Sequence, residues 1–207
     1  LEGEARNENS IVLKLTHGRT SFLLSGDAED DQEAYLVDTY GSQIQSTVLK
    51  AGHHGSSSSS SAEFLDTANP EAVSVSSGYD NQYGHTTDEV LQRFSERSLQ
   101  TYWTGTHGDI VLVSDGTAVS VRTQYPAPTD PLSLRDGDPA DPESTDPVAE
   151  RAVLGGGTVT TSTATVATDG GTPTVTATPE ALTVTQINAE SEGDDRENLN
   201  DEYGVCP

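Results

Sequence analysis

Hydrophobic periodicity divides this 207-residue chain in two and confines a folded core to the first part. In residues 10–122, runs that alternate like strands are interleaved with runs at helical spacing; beyond Pro126 the pattern stops. Ile11, Leu13 and Leu15 alternate with Val12 and Lys14, and Ser21–Leu24 answers them across His17-Gly18-Arg19, which predicts a β-hairpin. Over 30–40, Ala34, Val37 and Tyr40, with Tyr35 and Leu36, stand at helical spacing, and Gly41 suits the C-terminal cap. Residues 44–51 predict a strand ending at Gly52, and residues 72–75 another. Thr86 or Thr87 can cap a helix carrying Val90, Leu91 and Phe94 on one face. Residues 101–103, 110–113 and 118–121 predict three further strands, the last two joined by a turn at Asp115-Gly116. Strands interleaved with helices and closing in a hairpin indicate an α/β layered domain over 1–125.

The Asp-Pro steps beyond Pro126 (Asp130-Pro131, Asp138-Pro139, Asp141-Pro142, Asp146-Pro147) work against helix and central strand. With Gly155–Gly157 and the Thr/Val/Ala tract to Thr178, they predict an extended, disordered acidic linker over 126–181. Leu182–Ile187 alternates again, as the first strand of a unit that the chain does not finish.

Charge sharpens the reading. The chain carries 34 acidic and 10 basic residues, a formal net charge of −24, with 32% hydrophobic residues and lysine only at Lys14 and Lys50. No stretch approaches the ~18 consecutive apolar residues of a membrane-spanning helix. No basic patch offers electrostatic capture of nucleic acid or anionic lipid. An acidic, lysine-poor chain that keeps folding periodicity fits adaptation to very high salt. There the screening length falls to ~3 Å, and net charge hardly repels a polyanion. The single cysteine, Cys206, excludes an intrachain disulfide framework and a cysteine-based zinc site. No charged segment followed by an apolar one follows Leu1, so no signal peptide is expected within these residues.

Three clusters can carry chemistry. Asp27, in Gly26-Asp27-Ala28-Glu29, ends a predicted strand and either points into the crevice of an α/β sheet or caps the following helix. His53 and His54 lie between Gly52 and Gly55, directly after a strand; imidazole is the commonest side-chain metal ligand, and flanking glycines let backbone approach a site. In an extended segment adjacent side chains point to opposite sides, so one of the two histidines is expected to bind a given metal. The alternative is an exposed pair opening the polar loop Ser56–Ser61. His85, in Asn81-Gln82-Tyr83-Gly84-His85, is a candidate general acid, ligand or loop residue. His17 and His107 sit in turns and are expected to be exposed.

The order of these motifs carries a resemblance. Asn7-Glu8-Asn9-Ser10-Ile11-Val12-Leu13, Phe22-Leu23-Leu24-Ser25-Gly26-Asp27-Ala28-Glu29, Leu49-Lys50-Ala51-Gly52-His53-His54-Gly55-Ser56, Asn81-Gln82-Tyr83-Gly84-His85, and Thr104 with Gly108 and Ile110 follow in sequence. Over about residues 6–122 the chain resembles the second half of the metallo-β-lactamase-fold domain of ComEC-type DNA-uptake proteins. The resemblance implies the C-terminal half of an αββα sandwich and a hydrolase using two divalent metal ions, zinc or manganese. It implies that Asp27 bridges the metals and that a histidine at His53-His54 ligates one of them. His85, followed by Thr86 where the family has proline, takes a substrate-side or proton-transfer role beside Asp27. The superfamily's His-x-His-x-Asp-His motif belongs to the first half and does not occur here. The chain alone is therefore expected to be catalytically incomplete, with the N-terminal half of the same domain as its partner.

Leu182–Ala189, with Glu192-Gly193-Asp194-Asp195 and Asn198–Tyr203, resembles the start of a lamin-tail domain, a small β-sandwich often appended to secreted nucleases. Residues 182–207 are expected to be a truncated start of one. The expected function is a nuclease or phosphodiesterase acting on DNA, extracellular or at the cell surface, from a salt-loving organism. An ester or lactone hydrolase of the same fold, and a non-catalytic envelope or binding remnant, are the alternatives.

Overall fold

Alternation along the short strands separates two cores. In the computed structural model, which describes residues 10–155 and the strand Leu182–Val184, β1 (Leu13–His17) pairs antiparallel with β2 (Thr20–Leu24). β2 runs parallel to β3 (Val48–Lys50), followed by β4 (Ala72–Val75) and β5 (Gln100–Trp103), in the order β1-β2-β3-β4-β5. A second, antiparallel sheet has β6 (Ile110–Ser114), β7 (Val119–Thr123), β8 (Ala149–Leu154) and β9 (Leu182–Val184), in the order β8-β7-β6-β9.

Phe22, Val48, Ala72 and Tyr102 point from the first sheet toward Ile110, Leu112, Val119, Val121 and Leu154 of the second. Their neighbours Leu23, Leu49, Val73 and Trp103 point the other way, onto the helices. Those helices are α1 (Asp30–Tyr40), α2 (Ala62–Ala68), α3 (Asp88–Glu96) and the short α4 (Thr104–His107). α2 contributes Phe64 and Leu65, and α3 contributes Val90, Leu91 and Phe94. Each buried Phe removes enough apolar area to contribute roughly 2–3 kcal/mol. The layers run α–β–β, a mixed α/β architecture whose parallel strands are covered on both faces. Among the described residues no helix is long and apolar enough to cross a membrane.

The expected hairpins, the cap at Gly41 and the apolar face of α3 lie where periodicity put them. Several expectations need correction. The strand expected over 44–51 is shortened to β3, because Gly41–Ile44 winds a 3-10 turn first. α1 buries Leu36 and Glu33 and half-buries Val37, leaving Ala34 and Tyr40 exposed. The buried Glu33 carboxylate accepts from two backbone N–H groups of the serine run, on the same helix face as Leu36.

Residues 126–155 do not form the expected linker. Asp130 caps a 3-10 turn over Pro131–Asp136, where proline's missing N–H costs nothing. Leu134 from that turn is 0% exposed, and the Arg135 guanidinium lies 5.3 Å over the Trp103 ring and donates to the Thr86 carbonyl. β8 then takes the open edge beside β7, held by Arg151 donating to Thr123 and Gln124 carbonyls. β9, expected to open a separate sandwich, pairs with β6 at the other edge. The remaining linker residues 156–181 and the lamin-tail-like 185–207 lie outside the described residues.

Neither turn histidine is free in solvent. The His17 Nδ1 is 2.9 Å from the Ser114 hydroxyl, which also meets Thr20 Oγ1 at 2.6 Å, so the hairpin turn is tied to the second sheet. His107 is 1% exposed, with Nδ1 3.2 Å from both the amide nitrogen and the carbonyl oxygen of Trp103 and its ring edge-on to Tyr102. Burial holds its pKa down to about 4. The folded state therefore binds fewer protons than the unfolded one between about pH 6.5 and 4, and stability falls as pH drops through that window. The expected slope from this residue approaches ~1.4 kcal/mol per pH unit. Urea unfolding at stepped pH should lose that slope in His107→Gln; an unchanged slope would exclude His107 as its source.

Candidate metal and active site

The parallel strands β2, β3 and β4 all end at one rim, and the loops leaving those ends carry the candidate residues. Such carboxyl ends are where open α/β sheets place their sites. The turn after β2 is fixed by Gly26, whose φ of +55° suits glycine, and by Ser25 Oγ donating to the Lys50 carbonyl at 2.8 Å. The Gly26 carbonyl accepts from the His53 N–H at 3.0 Å, which joins the loop after β2 to the loop after β3.

That second loop is not extended. His53 (φ 45°, ψ 48°) and His54 (φ 54°, ψ 22°) both take the left-handed conformation, which costs a non-glycine residue about 1–2 kcal/mol. The segment expected to be extended is therefore a tight left-handed turn, in which each ring meets its own carboxylate. His53 Nδ1 stands 3.0 Å from Glu29 Oε1, which also accepts from Ser58 Oγ at 3.1 Å. His54 Nδ1 donates to the Ser76 carbonyl at 2.6 Å, and its Nε2 faces Asp27 Oδ1 at 3.9 Å. Asp27 is no helix cap, since Glu29 holds that position; Asp27 presents a buried Oδ1 with no hydrogen-bond partner among the described residues.

His85 completes the group. Its ring is 5.6 Å, centroid to centroid, from that of His53, and the Tyr83 ring stacks on it at 5.8 Å. The His85–Thr86 peptide bond is cis. Thr86 Oγ1 and the Thr87 N–H both donate to the Gly55 carbonyl, at 3.2 and 3.0 Å, so the His85 segment hangs on the glycine that ends the histidine turn. The structure thus brings Asp27, His53, His54 and His85 together.

The serine run is a partly buried strut, contrary to its reading as a polar loop. Ser59 and Ser60 are fully buried. Glu33, 0% exposed, accepts from the N–H groups of Ser60 at 2.6 Å and Ser61 at 2.8 Å. Arg93 of α3 donates to the carbonyls of Ser57, Ser59 and Ser60 at 2.7, 2.7 and 3.0 Å. Burial raises the Glu33 pKa, against the lowering effect of the Ser61 and Ser60 hydrogen bonds. Glu29, Ser76, Glu33 and Arg93 were not legible as site residues. Only the position of Glu29 two residues after Asp27 hinted at a paired role.

The donors fit one side of a metal site. An Nδ1–H held by a backbone carbonyl is the usual way a protein fixes an imidazole to ligate through Nε2, and an orphaned carboxylate oxygen faces that nitrogen. Among the described residues no group of three or more His, Cys, Asp or Glu side chains is arranged to hold a metal ion. A metal centre built on Asp27 and His54 would need further donors.

Comparison with known proteins points in one direction. The chain is 39% identical over 102 residues to Competence protein ComA of Neisseria gonorrhoeae, covering 49% of this chain and 15% of that protein. It is 34% identical over 106 residues to ComE operon protein 3 of Bacillus subtilis, covering 51% and 14%. Against Recombination protein 2 of Haemophilus influenzae it is 36% identical over 89 residues, covering 43% and 11%. The chain thus spans a small fraction of the length of these relatives. No family model matches it.

Gly55 gives the site's most direct structural test. A Cβ there would lie 1.8 Å from Thr86 Oγ1 and 3.2 Å from the Thr86 Cα, at a φ of +82°. Gly55→Ala should cost about 1–3 kcal/mol in urea unfolding. It should also shift the ring resonances of His85. Wild-type stability with unmoved His85 signals would show that Gly55 does not anchor this segment.

Proposed function

We propose that this chain forms the second, metal-ligating half of a metallo-β-lactamase-type phosphodiesterase that acts on DNA, in a DNA-uptake role at the cell envelope or surface. The observation that carries the reading is the buried Asp27 oxygen facing the carbonyl-oriented imidazole of His54 at the rim of parallel strands. The similarity to competence and recombination proteins supports the choice of nucleic acid over a small ester or lactone.

Asp27 and His54 would hold divalent metal, zinc or manganese, together with donors supplied from outside the described residues. When bound, such ions activate water and stabilise charge on a phosphoryl oxygen. This chain's own residues set the geometry. Ser76 orients His54, Glu29 orients His53, and His85, edge-on to His53, would face the substrate. The Glu33–Arg93 clamp holds the serine strut so that Ser58 can fix Glu29. The net charge of −24 is no obstacle in molar salt, where the metal's local field outweighs a screened surface.

Calorimetric titration with zinc and manganese should give weak binding, short of two tight ions, to this chain alone. Joined to a half-domain carrying His-x-His-x-Asp-His, it should bind two ions and cut plasmid DNA in molar salt. In that protein His54→Ala and Asp27→Asn should each lower kcat by at least about 100-fold. Two tight ions on the isolated chain would contradict the half-site; metal binding without DNA cleavage by the joined protein would favour a scaffold role.

A further inference from the structure

Among the exposed large apolar side chains, Tyr83 stacks its ring on a histidine of the site, His85. Tyr83 is 46% exposed, and its ring lies nearly parallel to that of His85, 5.8 Å away at an interplanar angle of 22°. His85 in turn stands edge-on to His53. An open aromatic face therefore sits two rings from the paired histidines.

Asn81 braces the backbone of the loop that carries that face. The Asn81 Oδ1 accepts from the Tyr83 and His85 N–H groups at 3.2 and 3.0 Å. Its Nδ2 donates to the Gly78 carbonyl at 2.9 Å and to the carbonyl of His85. Gly84, at φ +69°, lets residues 83 and 85 turn their rings to the same side. Asn81 thus ties the backbone at Gly78, Tyr83 and His85, which fixes the segment that carries the Tyr83 ring.

Charge chemistry says what such a face can do. With 34 acidic and 10 basic residues the chain has little phosphate-directed attraction to offer, and salt weakens what there is. Base stacking on an aromatic ring is sequence-tolerant and owes little to ion pairing. We propose that Tyr83, backed by His85, is a stacking platform for an unpaired nucleobase next to the phosphodiester at the Asp27–His54 rim. The substrate class is then single-stranded or locally melted nucleic acid. This rests on the phosphodiesterase reading above.

The test uses the full chain, a fluorescent oligothymidylate and an abasic oligonucleotide of the same length, read by anisotropy in molar salt. Wild type should bind the oligothymidylate more tightly than the abasic strand. Tyr83→Ala should weaken oligothymidylate binding about 5- to 100-fold, bring it to the abasic level and leave the abasic strand unaffected, while Tyr83→Phe keeps the preference. Equal wild-type affinity for the two strands, or a Tyr83→Ala effect that is absent or the same on both, would overturn the platform while leaving the nucleic-acid reading standing. Binding of neither strand by wild type would overturn the nucleic-acid reading and the platform with it. Unchanged thermal unfolding of Tyr83→Ala separates lost stacking from lost fold.

Discussion

Two consecutive histidines in the left-handed region are an expensive local choice, and the site depends on the contacts that enforce it. The Gly26 carbonyl fixes the His53 N–H, and the Ser76 carbonyl fixes the His54 ring. Gly55, whose hydrogen atom fills the space a methyl group would contest with Thr86, closes the turn and carries the His85 segment. Neither histidine can be placed without the others, because three loops from adjacent parallel strands share one set of backbone bonds. Strain of this kind persists only where surrounding structure over-determines it.

A second tier supports the first. Glu33 from α1 and Arg93 from α3 grip the serine run from opposite polarities, one accepting its N–H groups and the other donating to its carbonyls. A buried loop with no such partners would leave its peptide groups unsatisfied, at about 1–3 kcal/mol each. The grip makes a stretch of small hydroxyl residues rigid enough to brace Glu29 through Ser58, and Glu29 faces His53.

What could be read from the sequence follows from range. Periods of two and of 3.6 are local, so the hairpin at Gly18, the cap at Gly41 and the Val90/Leu91/Phe94 face were legible. Asp27, His53 and His54 were legible as candidates because each lies shortly after an apolar run, and His85 because it closes the turn-rich segment Asn81–His85. The serine strut was not, since its partners Glu33 and Arg93 lie on distant helices and look like ordinary surface charges. Leu134 was hidden among prolines and aspartates; only Trp103 and α3, folded beside it, give its burial a reason. His107 read as a turn residue because its four-residue helix has no periodicity to betray it.

One proton, the one on His54 Nδ1, decides which ring nitrogen is left for a metal. Long-range ¹H–¹⁵N correlation of the imidazole nitrogens, recorded with the ring neutral, reports which nitrogen carries it. The Nδ1–H form is predicted, with Ser76 O as acceptor and Nε2 turned to Asp27, and Nε2 is the nitrogen that should shift on zinc addition. A neutral His54 carrying its proton on Nε2, or a zinc shift confined to His53, would contradict it.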